Sequence, residues 1–173
     1  MVICRDNGLD ECSNMKVPGV YTLLLNVSMD LCTIVGSLGY ICIDSGMYSY
    51  IGSARGFGGI EARVKRHIDK DEKRLWWHID YITSLKAVKI VGIVYAETVR
   101  DLEYMLANFL ERSSCWSIAV PRFGSTDKRS STHLFRWLCS FSKCLDELTE
   151  MYISIGLRPC VLHFNNHNTR PER

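Results

Sequence analysis

Four short runs of β-branched, aromatic and aliphatic residues crowd the segment from Val20 to Ser53, each closed by turn-forming residues. Runs this short, rich in Val, Ile, Tyr and Leu, read as strands rather than helices. The first, VYTLLLNV at 20–27, is apolar throughout and ends at Ser28-Met29-Asp30, as expected of a buried strand. The next two, CTIV at 32–35 and YICID at 40–44, flank the glycines of GSLG at 36–39 and predict an antiparallel hairpin. After a Ser45-Gly46 turn, MYSYIGS at 47–53 alternates bulky and small residues, the pattern of a strand entering a crowded site.

Downstream the period changes. Glycines in ARGFGG at 54–59 precede IEARVKRHI at 60–68, where Ile60, Val64 and Ile68 share one helical face and Arg63 and His67 stack on the adjacent one. LWWHIDYITSL at 75–85 predicts a second amphipathic helix, with Trp76, Ile79 and Ile82 inward. AVKIVGIVYAE from 87 predicts a buried strand, and TVRDLEYMLANFLER at 98–112 a helix capped by Thr98. A short strand at 117–120, a helix over 137–150 and one or two strands within 151–164 complete the expected elements. The polar residues 1–16 and the last nine residues are expected to be loose.

At 173 residues, 47% hydrophobic and 23% charged, the chain has the size and composition of one soluble globular domain. A net charge of +2 is too mild to prove a nucleic-acid partner, so local clustering must decide. Basic residues do cluster, at Arg55, Arg63, Lys65, Arg66, His67, Lys70, Lys73 and Arg74, and again at Arg122, Lys128 and Arg129. Any one such run is more often a hydrated helix face than a binding site. Eight dispersed cysteines without a CxxC pair or a zinc spacing are expected as free thiols. With no secretory leader and no apolar stretch long enough to span a bilayer, a cytoplasmic protein without a membrane partner is expected.

Gly19-Val20-Tyr21 and Tyr50-Ile51-Gly52 lie on predicted strands one hairpin apart. Either tripeptide alone would mean little. With GVY, a hairpin carrying VGSLG, SYIGSA, a glycine loop, a helix bearing Arg63 and His67, and then WWHIDYI, the stretch Val17–Thr83 resembles the GIY-YIG nuclease superfamily. More narrowly, it is similar to an uncharacterised branch of it, a domain of unknown function sometimes joined to an endonuclease III-like repair domain. A looser likeness continues through AETVRDLEYML at 96–106 and RFGSTDKRSSTHLF at 122–135, so it covers about Val17 to Trp137.

The resemblance implies an α+β fold with a small three-stranded antiparallel sheet flanked by helices. It divides the chain into a flexible arm at 1–16, a GIY-YIG-like domain at 17–137, and a C-terminal extension at 138–173 packed on that domain. It further implies a metal-dependent endonuclease hydrolysing DNA phosphodiester bonds, with a possible role in repair or in processing damaged or branched structures. Tyr21 and Tyr50 match the two motif tyrosines and Arg63 the helix arginine, while His67 falls where family members often keep a His or Tyr. A bidentate guanidinium suits phosphate, and a phenol could act as base only if a neighbour took or eased its proton.

The implied single Mg²⁺ or Mn²⁺ calls for a carboxylate on the helix after the strand ending near Tyr95. Glu103 is the preferred ligand and Glu97 the second; aligning by the ANFL end of that helix instead puts Leu106 there and leaves no ligand. Arg55, Lys65, His78 and Asp80 are candidate substrate contacts, and Asp127 and His133 are loop residues that could approach the site. The RFGSTDKRSSTHLF loop departs from its relatives, which carry cysteines where Lys128 and Ser130 stand here. The alternative function is an inactive nucleic-acid-binding module, or an interaction partner of a repair enzyme.

Overall fold

The computed structural model describes residues 2–4, 14–70, 74–125 and 130–164. The run at 20–27 becomes β2 (Gly19–Val27), the spine of the main sheet. It pairs antiparallel with β5 (Gly46–Ala54) on one side and β6 (Val88–Glu97) on the other. Eight of its nine residues are buried because helices cover both sheet faces, which is why its sequence is apolar without alternation. Each leucine of Leu23-Leu24-Leu25 so buried contributes roughly 1.5–3 kcal/mol of transfer free energy.

The three central strands are those the sequence predicts, but the sheet is larger than the three strands expected. Two more strands, β8 (Leu134–Trp137) and β9 (Cys160–Phe164), pair with β5 and β6 respectively, and β7 (Trp116–Ile118) pairs with β8. The short β1 (Val2–Cys4) adds to the β9 edge, so part of the expected loose N-terminal arm is a strand. The spatial order is β1-β9-β6-β2-β5-β8-β7. Runs of three to five residues are too short to show a period, and pairing partners far along the chain supply what local pattern does not. The expected hairpin forms as β3 (Leu31–Val35) and β4 (Gly39–Ile43), a separate two-stranded sheet.

Two cores result. One holds Tyr21, Leu23, Leu25 and Tyr50 under α1 (Gly59–Ile68), α2 (His78–Thr83) and the β3–β4 hairpin. The other holds Val20, Leu24 and Ile51 under α3 (Glu103–Glu111) and α4 (Phe141–Ser154). The segment expected as a C-terminal extension thus supplies α4, whose Leu145, Leu148, Met151 and Tyr152 are buried, and the sheet strand β9.

Several expected boundaries shift. The helix predicted over 75–85 begins only at His78, because the Asp80 carboxylate accepts the Trp76 and Trp77 amides and caps it there. Trp76 consequently stands exposed rather than inward. Thr98 does not cap α3; its hydroxyl accepts the Arg100 amide in a local turn, and the helix starts at Glu103. Met151 to Ser154 end α4 rather than forming a strand. The free-thiol expectation is also corrected: Cys32 pairs with Cys42, Cys115 with Cys139, and Cys160 is disulfide-bonded. Cys144 is a free, buried thiol. No helix among the described residues is long and apolar enough to cross a membrane.

Candidate active site

The two motif tripeptides meet because β2 and β5 pair in a register that sets Tyr21 opposite Gly52 and Leu23 opposite Tyr50. Tyr21 and Tyr50 are therefore diagonal neighbours on one sheet face, close enough for large side chains to interact. Gly52 makes this possible: a Cβ there would lie 2.6 Å from the Tyr21 hydroxyl oxygen. Gly19 does the same for the helix above, since a Cβ there would lie 2.5 Å from Ile60 Cδ1 and 2.3 Å from the Ala96 carbonyl oxygen. The motif glycines are thus space for a phenol and for α1.

Beneath α1, the Tyr21 hydroxyl lies 2.8 Å from His67 Nε2, and His67 Nδ1 lies 3.3 Å from Asp80 Oδ1. The consistent proton arrangement has Nδ1–H facing the carboxylate and the Nε2 lone pair accepting from the phenol. All three side chains are almost wholly buried, Tyr21 at 2%, His67 at 1% and Asp80 at 0% exposure. The other Asp80 oxygen accepts from Arg66, at 2.8 Å, and from the Trp76 and Trp77 amides. Asp80, expected as a substrate contact, is instead an enclosed anchor, and a buried carboxylate needs this many donors.

Burial raises the Tyr21 phenol far above its ordinary range; Tyr50, Glu103 and Asp80 push it the same way, and Arg63 opposes them. Tyr50 is raised too, by burial first and then by Glu103. Both phenols are therefore within electrostatic reach of Arg63 from α1, Asp80 from α2 and Glu103 from α3. Arg63 lies at its margin, its guanidinium carbon 3.9 Å from the centre of the Trp77 ring. Stacking occupies a face of the guanidinium and leaves its in-plane N–H groups free to donate. Among the described residues no ion pair engages it.

Glu103, in the first turn of α3, lies with Oε2 3.4 Å from His133 Nδ1. Glu97 ends β6 and is exposed. Leu106 is buried in the opposite core. His78 accepts the Gly124 amide at 3.0 Å, and its ring packs on Phe123, which also packs edge-on against Tyr50. The loop after β7 thus closes over Tyr50 through Phe123 and Gly124, two residues whose role the sequence did not reveal; only the glycine signalled a turn.

Arg55 and Lys65 do not join the cluster. Arg55 pairs with Asp101 at 3.3 Å, both half-exposed, and Lys65 pairs with Glu61 on the outer face of α1. Asp127, Lys128 and Arg129 lie outside the described residues.

The chain has no match among curated proteins or solved structures. A family match does span residues 20–154, from β2 to the end of α4, and takes in the whole of the Tyr21, Tyr50, Arg63, His67, Asp80, Glu103 and His133 arrangement. The family is described as Domain of unknown function DUF123, and the chain belongs to it.

Proposed function

We propose that this chain is a GIY-YIG-type endonuclease that hydrolyses DNA phosphodiester bonds with one bound divalent ion. The observation that carries the proposal is that Tyr21 and Tyr50 share one sheet face, with His67 hydrogen-bonded to Tyr21 and with Arg63 and Glu103 near enough to act electrostatically on both phenols. Phosphodiester hydrolysis needs an activated water and donors aimed at the charge that grows on the phosphoryl oxygens.

A tyrosine whose proton is this tightly held cannot wait as a phenolate. It can relay: as water attacks phosphorus, Tyr21 takes the water proton while its own passes to His67 Nε2. Asp80 stabilises the imidazolium that forms, and the P–O bond to the leaving alkoxide breaks, that oxygen taking a proton from solvent. Tyr50 orients the water, and Arg63 holds a non-bridging phosphate oxygen pair.

Mg²⁺ or Mn²⁺ prefers carboxylate oxygen and keeps several waters. Glu103 fits that demand, being a partly exposed carboxylate in reach of both phenols. Among the described residues no group of three or more His, Cys, Asp and Glu side chains converges as a cage, and a single carboxylate suits an ion that remains largely hydrated. When bound, it supplies positive charge to the phosphoryl oxygens.

The test is cleavage of labelled duplex, flap and single-stranded DNA in Mg²⁺ or Mn²⁺, with EDTA as the metal-free control. Tyr21→Phe, Arg63→Ala and Glu103→Gln should each slow cleavage by about 100-fold or more. No cleavage by the parent, or equal cleavage by Tyr21→Phe, would overturn it. Burial of both phenols favours a second reading, a nucleic-acid-binding module without hydrolysis, which would bind DNA in EDTA without turnover.

A further inference from the structure

Of the four tryptophans, Trp116 and Trp137 are buried, at 5% and 8% exposure, whereas the neighbours Trp76 and Trp77 stand at 63% and 38%. Two adjacent exposed indoles are costly to leave in water, and these two are held in place. Both amides donate to Asp80 Oδ2, at 3.1 Å each, so the dipeptide cannot move without uncapping α2. The Arg66 guanidinium carbon lies 5.0 Å from the Trp76 ring centre and 4.8 Å from that of Trp77, while Arg63 lies over Trp77 as described. Arg66 is in turn fixed by Asp80 and by the Arg74 carbonyl. Asp80, which accepts both indole residues' amides, is buried and ion-paired, so among the described residues this face combines flat aromatic surface with the positive charge of Arg63 and Arg66.

We infer that Trp76 and Trp77 form a stacking platform for unpaired DNA bases adjoining the phosphate held at Arg63. A polyanion with planar faces satisfies both features at once, the backbone by charge and the bases by π-stacking. Bases inside a duplex are already stacked and present only their edges, so the occupant is single-stranded DNA or an unpaired flap. Arg63 touches Trp77 and also acts on Tyr21, which puts the platform one side chain from the proposed reaction centre. The position of the scissile phosphate rests on the nuclease reading; the platform itself does not.

The experiment titrates the full chain with an oligothymidylate of about 15 nucleotides in EDTA, following intrinsic fluorescence and anisotropy. With the other indoles buried, quenching reports Trp76 and Trp77. Trp76→Ala, at an exposed site, should weaken binding by about tenfold or more, Trp76→Phe should recover part of it, and an abasic oligomer of equal charge should bind the parent as weakly. Equal binding by Trp76→Ala, or by the abasic oligomer, would overturn the platform even if DNA is cleaved. Stacking-dependent binding without cleavage in Mg²⁺ or Mn²⁺ would uphold the platform and sink the nuclease reading. Failure to bind any oligomer would overturn the platform in favour of a protein partner for the indoles.

Discussion

Burial alone would return a proton to the Asp80 carboxyl, but hydrogen bonds from His67, Arg66 and the Trp77 and Trp76 amides outweigh it and hold the group below the usual carboxylate range. An acid whose folded pKa is depressed contributes stability in full above its unfolded value, about pH 4, and loses that contribution as pH falls through the folded value. Asp80→Asn removes the charge while keeping the shape. At pH 7 it should cost about 3 kcal/mol by leaving Arg66 without its counter-ion, and the gap to the parent should narrow below about pH 4. Urea midpoints of both proteins at pH 7 and pH 3 would check this; an unchanged gap would remove Asp80 as the source. From sequence, Asp80 looked like a cleft residue beside His78. Its role was hidden because the partners that enclose it, His67 and Arg66, come from another helix 13 and 14 positions away.

Among elements, the hairpin and the central strands were legible because each carries its own signal: turn glycines at Gly36 and Gly39, and apolar runs long enough to be buried on both faces. The cysteine pairing was missed, since dispersed cysteines without a CxxC pair had pointed to free thiols. With the turn at 36–39, Cys32 and Cys42 are directly opposed in the β3–β4 register, a match the spacing allowed. Cys115–Cys139 had no such signal, since it fastens the residue before β7 to the loop that opens α4, 24 positions on. A cross-link closing a loop of that length restricts the unfolded chain, so reducing it or replacing both cysteines by serine should cost about 3 kcal/mol. Comparing urea midpoints of the parent and the double-serine variant, both without reductant so that Cys32–Cys42 stays closed, gives the value, and no difference would mean that the bond does not restrict the unfolded chain.

At the scale of the molecule, the segment 17–137, expected from the sequence to be the whole domain, does not hold a complete core by itself. Residues beyond it supply β9, which covers the β6 edge, and the α4 side chains that fill one of the two cores. A chain ending at residue 137 should therefore show no cooperative thermal transition by circular dichroism; a sharp transition near that of the full chain would show that α4 and β9 are dispensable. The sequence alone determined the α+β class, the three central strands, the hairpin and α1, because these depend on local period and turn chemistry, and its two tripeptides pointed to Tyr21 and Tyr50 as neighbours. Tertiary structure decided the rest: the width of the sheet, the burial of the Tyr21–His67–Asp80 chain, the contact of Glu103 with His133, and the exposure of Trp76 and Trp77. Each of those depends on which distant segments cover a surface, and coverage is set by long-range packing that no local pattern encodes.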